Sequence, residues 1–246
     1  MSQTQQIVAE LAPTGTLRAG INMSNFLLVS DRTPDGGPVG VAPDMARAIA
    51  DRLGVPVRYV PYPKPGELAD AAESDQWDIG LIGAEPARAE KIEFTPAYVE
   101  IQSTYLVPAG SPLHAVEEVD RTGIRIAVAA RTAYGLWLDR NIKHAELVHA
   151  DGLDASFDLF QRESLDALAG LRPRLLTDVE RIPGARILPG QFAAVQQAVG
   201  TLRRNQAGSA FLREFVAEAI DSGLVASLIA KHRVVGLSVA PKGPLP

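Results

Sequence analysis

The chain has 246 residues, 46% of them hydrophobic, enough to bury one large core or two moderate ones. With 29 acidic against 24 basic residues, a net charge of −5 and no basic run, nucleic acid is not an expected partner. No apolar run reaches transmembrane length, and the absence of cysteine excludes disulfides and thiolate chemistry while leaving the compartment open.

The N-terminal stretch MSQTQQIVAELAPTGTL lacks the basic start and apolar core of a secretory leader. Either an exported precursor has been trimmed, or the protein begins at Met1 and stays in the cytosol. From there the pattern alternates strand and helix, the signature of an α/β chain with mainly parallel sheets. Leu17–Ile21 reads as a strand running into the loop Asn22–Phe26. Pro43–Leu53 carries Met45, Ile49 and Leu53 on one helical face, with Pro43 suited to the first turn and Gly54 to the stop. Strands are expected at Val55–Val60 and Asp78–Ile82, with a helix at Gly66–Ala72 between them. A second series follows: strand Ile124–Ala129, helix Ala133–Ile142, strand Glu146–His149, helix Ala155–Arg162. It continues with strand Leu165–Ala169, a helix near Arg172–Val179 and a strand at Arg186–Leu188. The chain closes on helices at Ser209–Ile220 and Leu224–Lys231, broken at Ser222-Gly223.

The stretch GLIGAEPARAEKIEFTPAYVE, Gly80–Glu100, carries the most chemistry. A buried strand ends in small residues, a turn follows with Glu85 and Arg88, and a second strand-like run, Lys91–Thr95, is closed by Pro96. An arginine just beyond a strand end is well placed to grip a carboxylate with two parallel hydrogen bonds. The bland alternative is a solvated surface arginine. No G-x-S-x-G, P-loop or G-x-G-x-x-G is present. The histidines (His114, His144, His149, His232) are scattered without metal-site spacing. No cofactor or metal is expected.

This stretch, through Gly83, Arg88, Ile92, Phe94, Thr95, Pro96 and Tyr98, resembles the ligand loop of family 3 extracellular solute-binding proteins, the polar amino-acid receptors of ABC transporters. The resemblance spans about Gly15 to His232. It implies a two-lobed, type II periplasmic-binding-protein-like α/β fold with two crossing segments and a ligand cleft between the lobes. Lobe one would take residues 1–104 plus 193–246, and lobe two residues 105–192, with crossings near Val99–Val107 and Gln191–Ala198. The resemblance makes Arg88 the carboxylate clamp, with Gly83 and Ala84 offering backbone groups. Asn25 and Phe26 fall where the family often covers its ligand with an aromatic, and they either touch ligand or serve the turn and core. In lobe two, AARTAYG stands where the family opens a helix with Gly-Thr or Gly-Ser. Thr132 takes the hydroxyl position and Ala133 the first helical one, while Arg131 replaces the usual glycine.

One departure bears on the ligand. The family holds an α-ammonium with an acid from lobe two, and that position here is Leu171, followed by Arg172. An ammonium desolvated against leucine costs several kcal/mol on the order of magnitude, which favours an organic acid or an atypical amino-acid-like carboxylate. Glu85 either supplies the missing charge from lobe one or pairs with Arg88. The resemblance implies a monomeric, non-enzymatic, periplasmic receptor delivering its ligand to ABC permease subunits. Two alternatives stand beside it: a lyase resembling the cyclohexadienyl dehydratases with Glu85 as general acid, and a sensory module, both made more plausible by a cytosolic start at Met1.

Overall fold

The computed structural model describes residues 2–241. The chain opens with α1 (Gln3–Leu11), for which the sequence reading assigns no element. It forms on a reciprocal cap: Gln5 N–H donates to Ser2 Oγ (3.2 Å) and Ser2 N–H to Gln5 Oε1 (2.8 Å). Next come β1 (Leu17–Asn22), the short hairpin strands β2 (Asp31–Arg32) and β3 (Pro38–Val39), and α2 (Val41–Leu53). Helix α2 buries Met45 and Ile49 and stops at Gly54, whose φ of 70° is a left-handed cap that glycine adopts without strain. Strand β4 (Val57–Tyr62), α3 (Pro65–Asp70) and β5 (Ile79–Gly83) follow, then the one-turn α4 (Pro86–Ala89) and β6 (Ile92–Phe94).

The stretches read as crossing segments are long strands, β7 (Val99–Val107) here and a second further on. Their residues mix buried apolar and buried polar side chains, so neither shows a clean alternation. After β7 come β8 (Arg125–Ala129), α5 (Ala133–Asn141), β9 (Glu146–Ala150), α6 (Leu153–Arg162), β10 (Ala167–Leu171), α7 (Arg172–Asp178) and β11 (Arg186–Ile187). The second long strand is β12 (Ala193–Leu202), and α8 (Gln206–Asp221), α9 (Leu224–Lys231) and β13 (Ser238–Val239) end the described chain.

These elements form two compact units. One takes the chain up to Glu100 and again from Gln196; the other is Ile101–Val195. In the first unit the strand order is β4-β1-β5-β12. Strand β1 runs parallel to both β4 and β5, while β12 runs antiparallel to β5 and also pairs β6. One face of this sheet packs Leu68, Trp77, Ile82, Ile92, Phe94 and Ala198 into a core. Gly80 and Gly200 lie on that face: a Cβ at Gly80 would meet Leu68 at 2.9 Å and one at Gly200 would meet Ile92 at 2.3 Å. The start of β1 is tied to β5 by a buried ion pair, with Arg18 Nη2 2.7 Å from Asp78 Oδ1 and Nε 3.0 Å from Oδ2. A fork-on-carboxylate pair satisfies both charges, which a buried ion pair requires.

In the second unit the order is β7-β10-β8-β9. Strands β10, β8 and β9 are mutually parallel, and β7 runs antiparallel to β10 and also pairs β11. Helices α6 and α7 cover one face, packing Phe157, Phe160 and Leu175 with Leu168 of β10.

Candidate functional site

Parallel strands deliver their following loops to one edge of a sheet, which is where open α/β sheets bind ligands. In the first unit β1 and β5 are such a pair, with Ile21 opposite Leu81. The loop after β1 and the turn after β5 therefore leave the same edge. Gly83 ends β5, and its carbonyl accepts a hydrogen bond from Arg88 Nη1 at 2.7 Å. Arg88 reaches back because Pro86 and the next three residues make one helical turn, closed by Arg88 and Ala89 N–H groups on the Glu85 carbonyl at 2.9 Å. The guanidinium is buried at 5% exposure, and Glu85, at the cap of the turn, is buried as well. A buried guanidinium at this edge is not the solvated arginine of the bland reading.

The other expected residues of this unit are placed differently. The Ala84 N–H is committed to the Gln196 carbonyl at 2.7 Å, so it is a sheet bond and not a ligand donor. Asn25 is buried with its Oδ1 accepting from Leu27 N–H at 3.2 Å, while its carbonyl accepts from Leu28 and Val29. It builds the turn. Phe26, the neighbouring aromatic, is 39% exposed.

The second unit repeats the logic. Strands β8 and β10 are parallel, with Ala127 opposite Leu168, so Arg131–Ala133 and Leu171–Arg172 leave the same edge. Thr132 caps α5: its Oγ1 accepts from Gly135 N–H at 3.1 Å and donates to the Ala129 carbonyl at 2.8 Å. The hydroxyl proton is thus spent on Ala129. What α5 offers an anion is its first-turn N–H groups, Ala133 and Tyr134, which have no acceptor within an α-helix. Burial pushes the Tyr134 hydroxyl up to about 12, so it stays neutral beside them. Arg131 is exposed with φ 59°, the left-handed region that explains why a glycine is usual there. Leu171, buried at 7% exposure, leads into α7 and brings no carboxylate to this edge. Arg172 is held by Gln102 Oε1 at 2.9 Å and by the Gly190 carbonyl.

Gln197, which the sequence reading does not single out, joins the first unit's edge together with Tyr98 of the ligand-loop run. Gln197, on β12, is the register partner of Gly83, and Tyr98 donates its N–H to the Gln197 carbonyl at 2.9 Å. The available signal was a polar pair, Gln196-Gln197, inside an otherwise apolar strand.

The model of the bacterial extracellular solute-binding proteins, family 3, matches residues 17–234. The chain belongs to that family. Among curated relatives, the cyclohexadienyl dehydratase of Pseudomonas aeruginosa is 25% identical over 224 residues, covering 86% of this chain and 80% of its own. Among solved structures, the substrate-binding protein of an amino acid ABC transporter superposes with a TM-score of 0.70 at 19% identity, covering 88% of this chain and 98% of its own. A histidine kinase sensor domain with similarity to periplasmic binding proteins gives 0.74 at 18% identity, covering 92% and 98%. The fold is therefore the type II periplasmic-binding-protein fold, a mixed α/β architecture. Among the described residues no helix is long and apolar enough to cross a membrane, and no cluster of three metal-ligating side chains occurs.

Proposed function

We propose that the protein is a solute receptor for a small carboxylate, delivered to an ABC permease, with Arg88 as the anion clamp. The observation that carries this reading is the buried Arg88 guanidinium at the C-terminal edge of β5, in a family of solute-binding proteins. A guanidinium out of water needs anionic or carbonyl acceptors, and a carboxylate supplies two in the fork geometry. In the second unit the first turn of α5 provides N–H donors for the same class of ligand. Leu171 brings no counter-charge for an ammonium, which favours an organic acid or an amide-bearing carboxylate over a zwitterionic amino acid. The periplasm is the compartment that goes with this role.

The test is a thermal-shift screen of carboxylates, amino acids and amides, followed by titration of the best hit. Arg88→Ala should abolish binding with the fold retained, and Arg88→Lys should restore little because the fork is lost. An Arg88→Ala protein that binds normally overturns the assignment.

A second reading is favoured by the buried Glu85 beside Arg88 and by the dehydratase relative. There Glu85 acts as general acid on a carboxylate held by Arg88. Turnover of a cyclohexadienyl substrate, lost in Glu85→Gln, would establish it and displace the receptor reading.

A further inference from the structure

Gln197 is 4% exposed, and its side-chain oxygen Oε1 is buried with no hydrogen-bond donor among the described residues. Its place in the sheet shows where that oxygen belongs. On β12, Ala198 and Leu202 join the core with Leu68 and Trp77, and on β5, so does Ile82. Side chains alternate along a strand, so Gln197 and its register partner Gly83 lie on the opposite face, at the strand end. Gly83 brings no side chain to that face, and its carbonyl is the one that Arg88 grips. The adjoining Tyr98 is fully buried, and its hydroxyl also lacks a partner.

Leaving a buried polar atom unpaired is costly, and the large majority of buried side-chain polar atoms are paired in native proteins. A carboxamide oxygen only accepts, so what completes Gln197 is an N–H or O–H. It carries no charge, so it does not compensate an ammonium taken out of water. The geometry points to Gln197 as a specificity residue of the Arg88 site, its Oε1 accepting a neutral N–H from the ligand. The preferred class is then a small carboxylate bearing an amide N–H close to the carboxylate. This rests on the reading of Arg88 as carboxylate clamp. An ordered water on Gln197 is the competing occupant, and it predicts no preference between ligands with and without the N–H.

The experiment is calorimetric titration with N-acetylglycine and acetoxyacetate, which share a skeleton and differ by N–H against O. The native protein should bind N-acetylglycine at least tenfold tighter, and Gln197→Met should bind the two equally. Should Gln197→Met fail to fold, Gln197→Glu, matched in size, should shift preference to N-methylglycine, whose ammonium meets the new carboxylate. Equal affinities in the native protein, no binding of either probe, or a preference that survives the substitution overturns the inference. Arg88→Ala separates the two levels. If binding depends on Arg88 without any amide preference, only the Gln197 assignment fails. If Arg88→Ala binds both probes as the native protein does, the clamp reading fails and takes this inference with it.

Discussion

A Cβ at Gly135 would stand 2.7 Å from the Ala129 carbonyl oxygen and 2.9 Å from Thr132 Oγ1. Those are the atoms that shape the turn between β8 and α5, so the opening of the helix depends on a missing side chain. Gly135→Ala should cost about 1–3 kcal/mol, the usual range for overpacking. It should also weaken carboxylate binding, because the first-turn N–H groups are displaced. Melting curves and titration of one ligand check both. A variant of native stability and affinity would mean that the turn relaxes freely. The same residues show what the sequence disclosed of the site. The position of Arg88 at the end of β5 was legible because its place after a buried strand is local. Thr132 was legible as a cap, but its hydroxyl proton goes to the Ala129 carbonyl, a bond set by the turn and not by residue type. Gln197 was hidden, since its meaning comes from register with Gly83, 114 positions away in the chain (197 − 83).

At the scale of elements, α2 and α9 are clamped at their ends. Asp44, in the first turn of α2, takes Lys231 Nζ and His232 Nε2 on one oxygen, each at 2.7 Å. An acid at a helix N-terminus facing the Lys231 ammonium at a helix C-terminus suits both dipoles. Partial burial pushes the Asp44 carboxyl up, but hydrogen bonds from Lys231 and His232 outweigh it and hold the group below its ordinary 3.8. A carboxyl depressed in the folded state stabilises above its unfolded value and loses that contribution as pH falls through the folded one. The stability difference between the native protein and Asp44→Asn should therefore be full at neutral pH. It should shrink once pH drops below about 4, near the unfolded value of an aspartate. A difference that stays constant from pH 7 to 3 in denaturant titrations would remove the clamp's charge from the account. Both helices were legible from their apolar stripes. Helix α1 was not, although Ser2 and Gln5 carry the spacing of a reciprocal cap. Its stripe is thin because only Leu11 is buried. Gly208 on α8 admits Leu11, since a Cβ there would stand 2.7 Å from it, and that contact is invisible in the sequence.

At the scale of the molecule, the two units have separate cores, one around Trp77 and one around Phe157, each about 1% exposed. Trp77 also donates its indole N–H to the Leu68 carbonyl at 3.1 Å, so truncating it removes a hydrogen bond along with the packing. Trp77→Ala and Phe157→Ala should each cost about 3–5 kcal/mol, the range for deleting a large buried aromatic. If the cores are energetically distinct, the two substitutions lower different transitions in a calorimetric melt. A carboxylate that binds through Arg88 raises the transition of the first unit by mass action. Titrating one ligand into the native protein, Trp77→Ala and Phe157→Ala therefore reads recognition unit by unit. A ligand held by Arg88 requires the Trp77 transition to rise. A ligand that binds yet leaves the Trp77 transition where it was would remove Arg88 from the site.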